Sequence, residues 1–215
     1  MDLLAHGKST LINLIPRFYD VTEGEILVDD VNVKDYKLSF LHNKIGYVSQ
    51  KAVIFNNTVK NNVSYGEGLE SISEEKVKEA IEVAQAKDFV EKMEKAYDTD
   101  LASGGTNVSG GQKQRISIAR AIARNPEIYI FDDSFSALDY KTDSVLRKAL
   151  KNYTKDATML IVAQRIGTIL NADKIIVLDE GKIVGQGKHE ELLENCDVYK
   201  QIALSQLSEK ELQKK

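Results

Sequence analysis

Short, nearly continuous apolar runs alternate along this chain with stretches whose apolar residues recur at helical spacing. Ile45–Ser49, Ile128–Asp132, Met159–Ala163 and Lys174–Leu178 are the clearest of these runs. They are rich in β-branched residues and lack the in–out alternation of a half-exposed sheet, so they predict strands covered on both faces. Strands of that kind interleaved with helical segments point to an α/β layer structure built on a mostly parallel sheet. Two antiparallel hairpins are expected beside it. Gly24–Asp29 followed by Val31–Val33 forms one, and Leu178–Val184, with Glu180-Gly181 at its turn, forms the other.

Between about Asn57 and Ala123 the texture changes to charged, helix-favouring sequence, as in Ser73–Ala86 and Ala86–Ala96, with no convincing strand. The pattern predicts one domain over residues 1–215. Residues 1–56 and 124–215 form its α/β core, and 57–123 form an inserted α-helical subdomain. Ser205–Lys215 reads as a fraying helix of no assigned function.

Composition narrows the function classes. With 215 residues, 24.0 kDa and 42% hydrophobic content, the chain is long and apolar enough to close one large core. Its net charge of −4 and pI near 5.5 carry no electrostatic footprint for nucleic acid. The single cysteine, Cys196, rules out an internal disulfide and fits a reducing compartment. No apolar run approaches the ~20 residues of a membrane helix, and no signal peptide is recognisable, so the chain alone is expected to be soluble.

The candidate chemistry lies in a few short stretches. Ser109-Gly110-Gly111-Gln112 leads into a basic, apolar-striped helix. Ser109 suits the N-cap, and the glycines let an anion approach backbone N–H groups at the helix start. His6-Gly7-Lys8-Ser9-Thr10-Leu11 has the end of a phosphate-binding loop, where N–H groups and a lysine hold phosphate oxygens and a hydroxyl holds Mg²⁺. The full loop pattern also needs a glycine five positions before Gly7, where Asp2 stands. Two carboxylates, Asp132 and Asp133, close the apolar strand Ile128-Tyr129-Ile130-Phe131, and Ser136-Ala137-Leu138-Asp139 follows. Gln50 ends the strand Ile45–Ser49, and Gln164 ends Met159–Ala163. His42 and His189 read as surface or structural residues.

In this order the stretches resemble the nucleotide-binding domain of ATP-binding cassette (ABC) transporters, and the resemblance covers essentially the whole chain. Arg17-Phe18-Tyr19-Asp20, Thr22-Glu23-Gly24 and Gly187–Leu193 resemble the exporter branch, in which membrane helices are fused upstream of the cassette. The resemblance implies a P-loop NTPase core that binds ATP and Mg²⁺. Gly7, Lys8, Ser9 and Thr10 would serve as the phosphate loop and Gln50 as the Q-loop glutamine. Ser109, Gly110, Gly111 and Gln112 would be the signature, Asp132 the Walker B carboxylate, Asp139 the D-loop aspartate and Gln164 the switch residue. Metal contacts would come from Ser9, Gln50 and Asp132, and catalytic ones from Asp133 and Gln164. Family loops usually carry glycine where Ala5 stands, and family members have a strand and an adenine-stacking aromatic upstream. The resemblance therefore implies a truncated or rearranged N-terminus lacking those strands and the membrane domain.

Two further departures bear on chemistry. The family places glutamate where Asp133 stands and histidine where Gln164 stands. The shorter carboxylate is set back by about 1 Å, a misplacement that costs on the order of 10²-fold. An amide has no proton to exchange at neutral pH, which removes about 10²–10⁴-fold of acid–base help. With an intact Ser109–Gln112, this combination resembles the degenerate half of heterodimeric exporters. It implies a head-to-tail partner cassette with the usual Glu and His, a transmembrane domain, and a place at the cytoplasmic face of the cell membrane. Three alternatives remain. A homodimeric ATPase would hydrolyse ATP without a second polypeptide. A non-transport ABC ATPase would carry a coiled coil or tandem cassettes. A truncated remnant would not bind nucleotide at all.

Overall fold

The computed structural model describes residues 7–66 and 72–207. From the N-terminal side run helix α1 (Lys8–Asn13), a hairpin of β1 (Leu27–Val28) and β2 (Val31–Asn32), helix α2 (Leu38–Lys44) and strand β3 (Ile45–Val48). A stretch of short elements follows: β4 (Asn57–Thr58), α3 (Val59–Val63), α4 (Glu74–Val83), α5 (Lys87–Val90) and β5 (Asp100–Leu101). Helix α6 (Gly110–Ala123), β6 (Ile128–Asp132), α7 (Tyr140–Tyr153), β7 (Thr158–Val162) and α8 (Ile166–Ile169) return the chain to the core. The hairpin of β8 (Ile175–Asp179) and β9 (Lys182–Gly187) precedes α9 (His189–Asn195) and α10 (Asp197–Gln206).

Among the described residues the parallel sheet has the order β3-β6-β7. Val48 pairs with Phe131, and Asp132 with Val162, so all three strands end at one level. In open α/β sheets that carboxyl edge is where ligands bind. The central strand β6 is buried from Tyr129 to Asp132, which explains its lack of alternation. On one side of the sheet Phe131 joins Ile116, Ile122 and Leu146 in a cluster that also buries α3 and α4. On the other, Ile130 packs with Ile12, Leu41 and Ile45. A separate cluster holds α10 against α8 and β8 through Ile166, Ile175, Val177, Tyr199 and Ala203. Each Val, Leu, Ile or Phe side chain among them, fully buried, contributes about 1.5–3 kcal/mol.

Three expectations change. Lys174–Leu178 does form a strand, shifted to Ile175–Asp179, but it pairs antiparallel with β9 rather than joining β3-β6-β7. The stretch 57–123 is not strand-free, since Asn57–Thr58 pairs with Asp100–Leu101. Two-residue strands carry too little periodicity to be seen in sequence. Ala86–Ala96 shortens to α5, and a 3₁₀ turn lies at Ala96–Asp98. Of the fraying tail, α10 includes residues through Gln206, and 208–215 lie outside the described residues. Both hairpin turns have two central residues at positive φ, Asp29-Asp30 and Glu180-Gly181, the geometry whose twist matches the flanking strands.

Candidate functional site

Gly7 introduces α1 with φ 103°, a conformation that a side chain at this position would strain. Lys8 and Ser9 are half-buried at the first turn, and Thr10 is exposed. His6, Asp2 and Ala5 lie outside the described residues. Ser9 turns toward the sheet, and its Oγ donates to Asp132 Oδ1 at 2.8 Å across 123 positions of sequence. Asp132 is only 6% exposed. Its other oxygen, Oδ2, lies 3.3 Å from the Tyr47 hydroxyl, which also reaches Asn13 Oδ1 at 2.8 Å. Burial, reinforced by the Asp132 charge, pushes the Tyr47 phenol up to about 12, so it stays a neutral donor.

A second cluster begins one residue further on. Asp133 adopts φ 46°, a left-handed conformation that aspartate tolerates better than most residues, while its N–H donates to the Val162 carbonyl at 3.0 Å. The strand ladder thus continues one step while the carboxylate turns across the sheet edge. Two amides meet it there. Gln50 Nε2 donates to Asp133 Oδ2 at 3.1 Å, and Gln164 Nε2 donates to the same oxygen at 2.9 Å. Three strand ends separated by 31 and 83 positions therefore converge on one carboxylate oxygen.

Burial raises the Asp133 carboxyl above the ordinary aspartate range, and the neighbouring Asp132 charge adds to this. Gln50, Ser136 and the Arg165 charge pull the other way. Asp133 is 8% exposed, so desolvation prevails. Below the site Ser134 Oγ donates to the Val48 carbonyl at 2.8 Å, tying the turn after β6 to β3.

Ser109–Gln112 lie at the start of α6. Ser109 Oγ accepts from the Gln112 N–H at 3.3 Å, and Gln112 Oε1 accepts from the Ser109 N–H at 2.8 Å, forming a reciprocal capping box. These side chains bond to each other's backbone rather than to Asp133. Gly111 lies close to the following loop: a methyl there would meet the Ala137 carbonyl at 3.4 Å. Asp139 caps α7, accepting from the Thr142 N–H at 3.0 Å, and this bond lowers its carboxyl from the ordinary range. Of the histidines, His42 Nε2 donates to the Pro16 carbonyl at 2.9 Å, and His189 Nδ1 lies 2.7 Å from the Tyr199 hydroxyl.

Several contributors carry no sequence signal of their own. Tyr47 and Asn13 read as a strand residue and a helix residue until the fold places them against Asp132. Gln114, buried in α6, donates from Nε2 to the Ser49 carbonyl at 3.2 Å and so braces the residue before Gln50. Arg165 Nη2 donates to the Ser136 carbonyl at 3.4 Å, beside the Asp133 turn. Only contacts between distant segments could have revealed them.

Among the described residues no cluster of three His, Cys, Asp or Glu side chains offers a stand-alone metal cage. The Ser9 hydroxyl and Asp132 carboxylate form instead a small oxygen pair. It suits Mg²⁺, which binds through one or two protein oxygens together with waters and substrate phosphates. Also among the described residues, no helix is long and apolar enough to cross a membrane.

Comparison with known proteins places these features in context. Residues 5–136 match the ABC transporter family. An uncharacterised ABC transporter ATP-binding protein of Mycobacterium tuberculosis is 47% identical over 201 residues, covering 93% of this chain and 34% of that protein. A Staphylococcus aureus protein named as a multidrug export ATP-binding/permease protein is 47% identical over 196 residues, again covering 34% of its length. A bacterial Atm1-family ABC exporter solved with ATP bound superposes with a TM-score of 0.90 at 36% identity. The match covers 94% of this chain and 35% of that one. The chain thus spans about a third of the length of the relatives it matches.

Proposed function

The chain belongs to the ABC transporter family as a nucleotide-binding domain of the exporter type, and we propose that it binds Mg-ATP at the carboxyl edge of β3-β6-β7. The observation that carries this reading is the Ser9–Asp132 hydrogen bond beside Lys8, with Asp133 next in sequence. Gly7, Lys8, Ser9 and Thr10 hold the phosphates, and Ser9, Asp132 and Gln50 face the metal. Mg²⁺, when bound, supplies neutralising charge at the phosphate oxygens. Asp133 orients the attacking water, and Gln164 donates a hydrogen bond to the γ-phosphate. ATP binding and hydrolysis are coupled to export through a transmembrane domain at the cytoplasmic face of the membrane.

In this reading the site closes only against a second cassette. Residues 57–123 form the subdomain that presents Ser109–Gln112 to the partner's ATP, and Asp139 lies at the junction. The Ser109–Gln112 box is complete within the chain, so the start of α6 is formed before any ligand meets it. The chain's own site turns over slowly, because Asp133 is one methylene short of glutamate and Gln164 cannot take up a proton. Its signature completes the faster site of a partner carrying glutamate and histidine at those positions. Both amides rest on Asp133 Oδ2, an arrangement that holds the carboxylate and places an amide, which cannot exchange a proton, against it from the β7 side.

Calorimetric titration of the full-length polypeptide with Mg-ATP tests the binding assignment. Micromolar affinity is expected, and Lys8→Ala weakens it by about tenfold or more. Equal affinity of parent and variant overturns the assignment.

A further inference from the structure

The loop carrying Gln164 is short. β7 ends at Val162, and α8 begins at Ile166. Its two backbone groups on either side of Arg165 are both taken by a single side chain from another element. Gln206 Nε2 donates to the Gln164 carbonyl at 2.9 Å, and Gln206 Oε1 accepts from the Ile166 N–H at 2.9 Å. Gln206 is the last residue of α10, more than 40 positions further along the chain. Packing of Tyr199 and Ala203 against Ile166 and Val177 fixes that helix. From the opposite side the loop is tethered by Arg165, whose Nη2 reaches the Ser136 carbonyl, while Ser136 Oγ donates to the Asp133 carbonyl at 2.8 Å.

We propose that Gln206 is a positioning residue for the Asp133–Gln164 pair, an amide clamp by which the end of α10 sets where the Gln164 side chain points. An amide carries a donor and an acceptor on one uncharged planar group, so it can donate to a carbonyl and accept from an N–H two residues further on. With the clamp closed, the Gln164 backbone is held and its Nε2 stays on Asp133 Oδ2. With α10 displaced, the backbone on either side of Arg165 loses both bonds to Gln206, and Gln164 loses its register with the carboxylate. The C-terminal helix therefore governs the nucleotide site through one side chain. The catalytic consequence rests on the reading that Asp133 and Gln164 face ATP. The clamp itself does not.

Gln206→Met keeps the length and helix preference of the side chain and removes both hydrogen bonds. In the full-length protein, hydrogen exchange over residues 163–167 is expected to quicken by about tenfold. Single-turnover hydrolysis of Mg-ATP falls about three- to tenfold, while ATP affinity, carried chiefly by the phosphate loop, changes by less. In a Gln164→Ala background the same substitution has no further effect, because its influence passes through Gln164. Unchanged exchange in Gln206→Met refutes the clamp. An equal fractional loss with and without Gln164 refutes the positioning role and leaves only a general packing effect of α10. If Gln164→Ala alone leaves turnover intact, the reading of the site fails and the catalytic part of the inference fails with it.

Discussion

Replacing Asn62 with alanine should destabilise the segment 53–58 at a cost out of proportion to the size of the side chain. Asn62 lies in α3 and is 0% exposed. Its Oδ1 accepts from the Phe55 N–H at 2.9 Å and from Arg120 Nη2 at 3.0 Å. Its Nδ2 reaches the carbonyls of Phe55, Asn57 and Thr58 at 3.0, 3.2 and 3.0 Å, so two hydrogens serve three acceptors and one is shared. Arg120 depends on the same spot. Its Nε donates to the Asn62 carbonyl at 2.7 Å, its Nη1 to the Val53 carbonyl at 2.9 Å, and its guanidinium lies 4.7 Å from the Phe55 ring centre. Burial pulls the Arg120 guanidinium down to about 10, the mark of a charge with little compensation to spare. Asn62→Ala strips acceptors from the half-buried Phe55 N–H and from that guanidinium, and leaves three carbonyls without the amide. At about 1 kcal/mol net for each bond, and more for the charged donor, the expected loss is about 3–4 kcal/mol. Urea unfolding of the chain, followed by far-UV circular dichroism and extrapolated linearly to water, measures it directly. A loss below about 1 kcal/mol would refute the view that this side chain anchors residues 53–58.

Ser109→Ala removes the side-chain cap on the Gln112 N–H and should lower stability by about 1 kcal/mol, read from the same unfolding curve. In the assembled transporter it should slow turnover at the partner's site far more than that loss explains; proportional effects would count against the shared site. Asp133→Asn should stabilise the chain at neutral pH. The native carboxyl is raised above the ordinary 3.8, so the folded state holds its proton more tightly than the unfolded chain. The parent's stability therefore falls as pH rises from 3.8 through the raised value, and the cost is fully present above it. Melting temperatures of the variant should lack that decline, and parallel pH profiles for parent and variant would contradict the desolvated environment assigned to Asp133.

Much of the scaffold was legible because its period is strong. The continuous apolar run Ile128–Asp132 has the same bounds in the structure as in the sequence, being covered on both faces. Ser109 followed three residues later by Gln112 announced a helix start, and the reciprocal bonds are present. The β4·β5 pair leaves no mark in the sequence because two residues cannot display an alternation. The strand Ile175–Asp179 was visible, but its partner was not, since pairing depends on where the neighbouring edge lies. The site divides along the same line. Ser9, Gln50, Asp132, Asp133 and Gln164 each stand at or just beyond a strand or helix end, and the fold bonds Ser9 to Asp132 and both glutamines to Asp133. Tyr47, Asn13 and Gln206 act through bonds spanning 34 to 85 positions, and nothing local to them signals it.

We propose that Asp133 and Gln164 make this chain's own site slow. The most direct test is single-turnover hydrolysis of Mg-ATP by the assembled pair, with the partner's catalytic glutamate replaced by glutamine so that only this site reports. Asp133→Glu combined with Gln164→His should raise that rate by about 10²-fold or more, restoring both the reach of the carboxylate and a group that can exchange a proton. A rate equal to that of the parent pair would contradict the division of labour between the two sites.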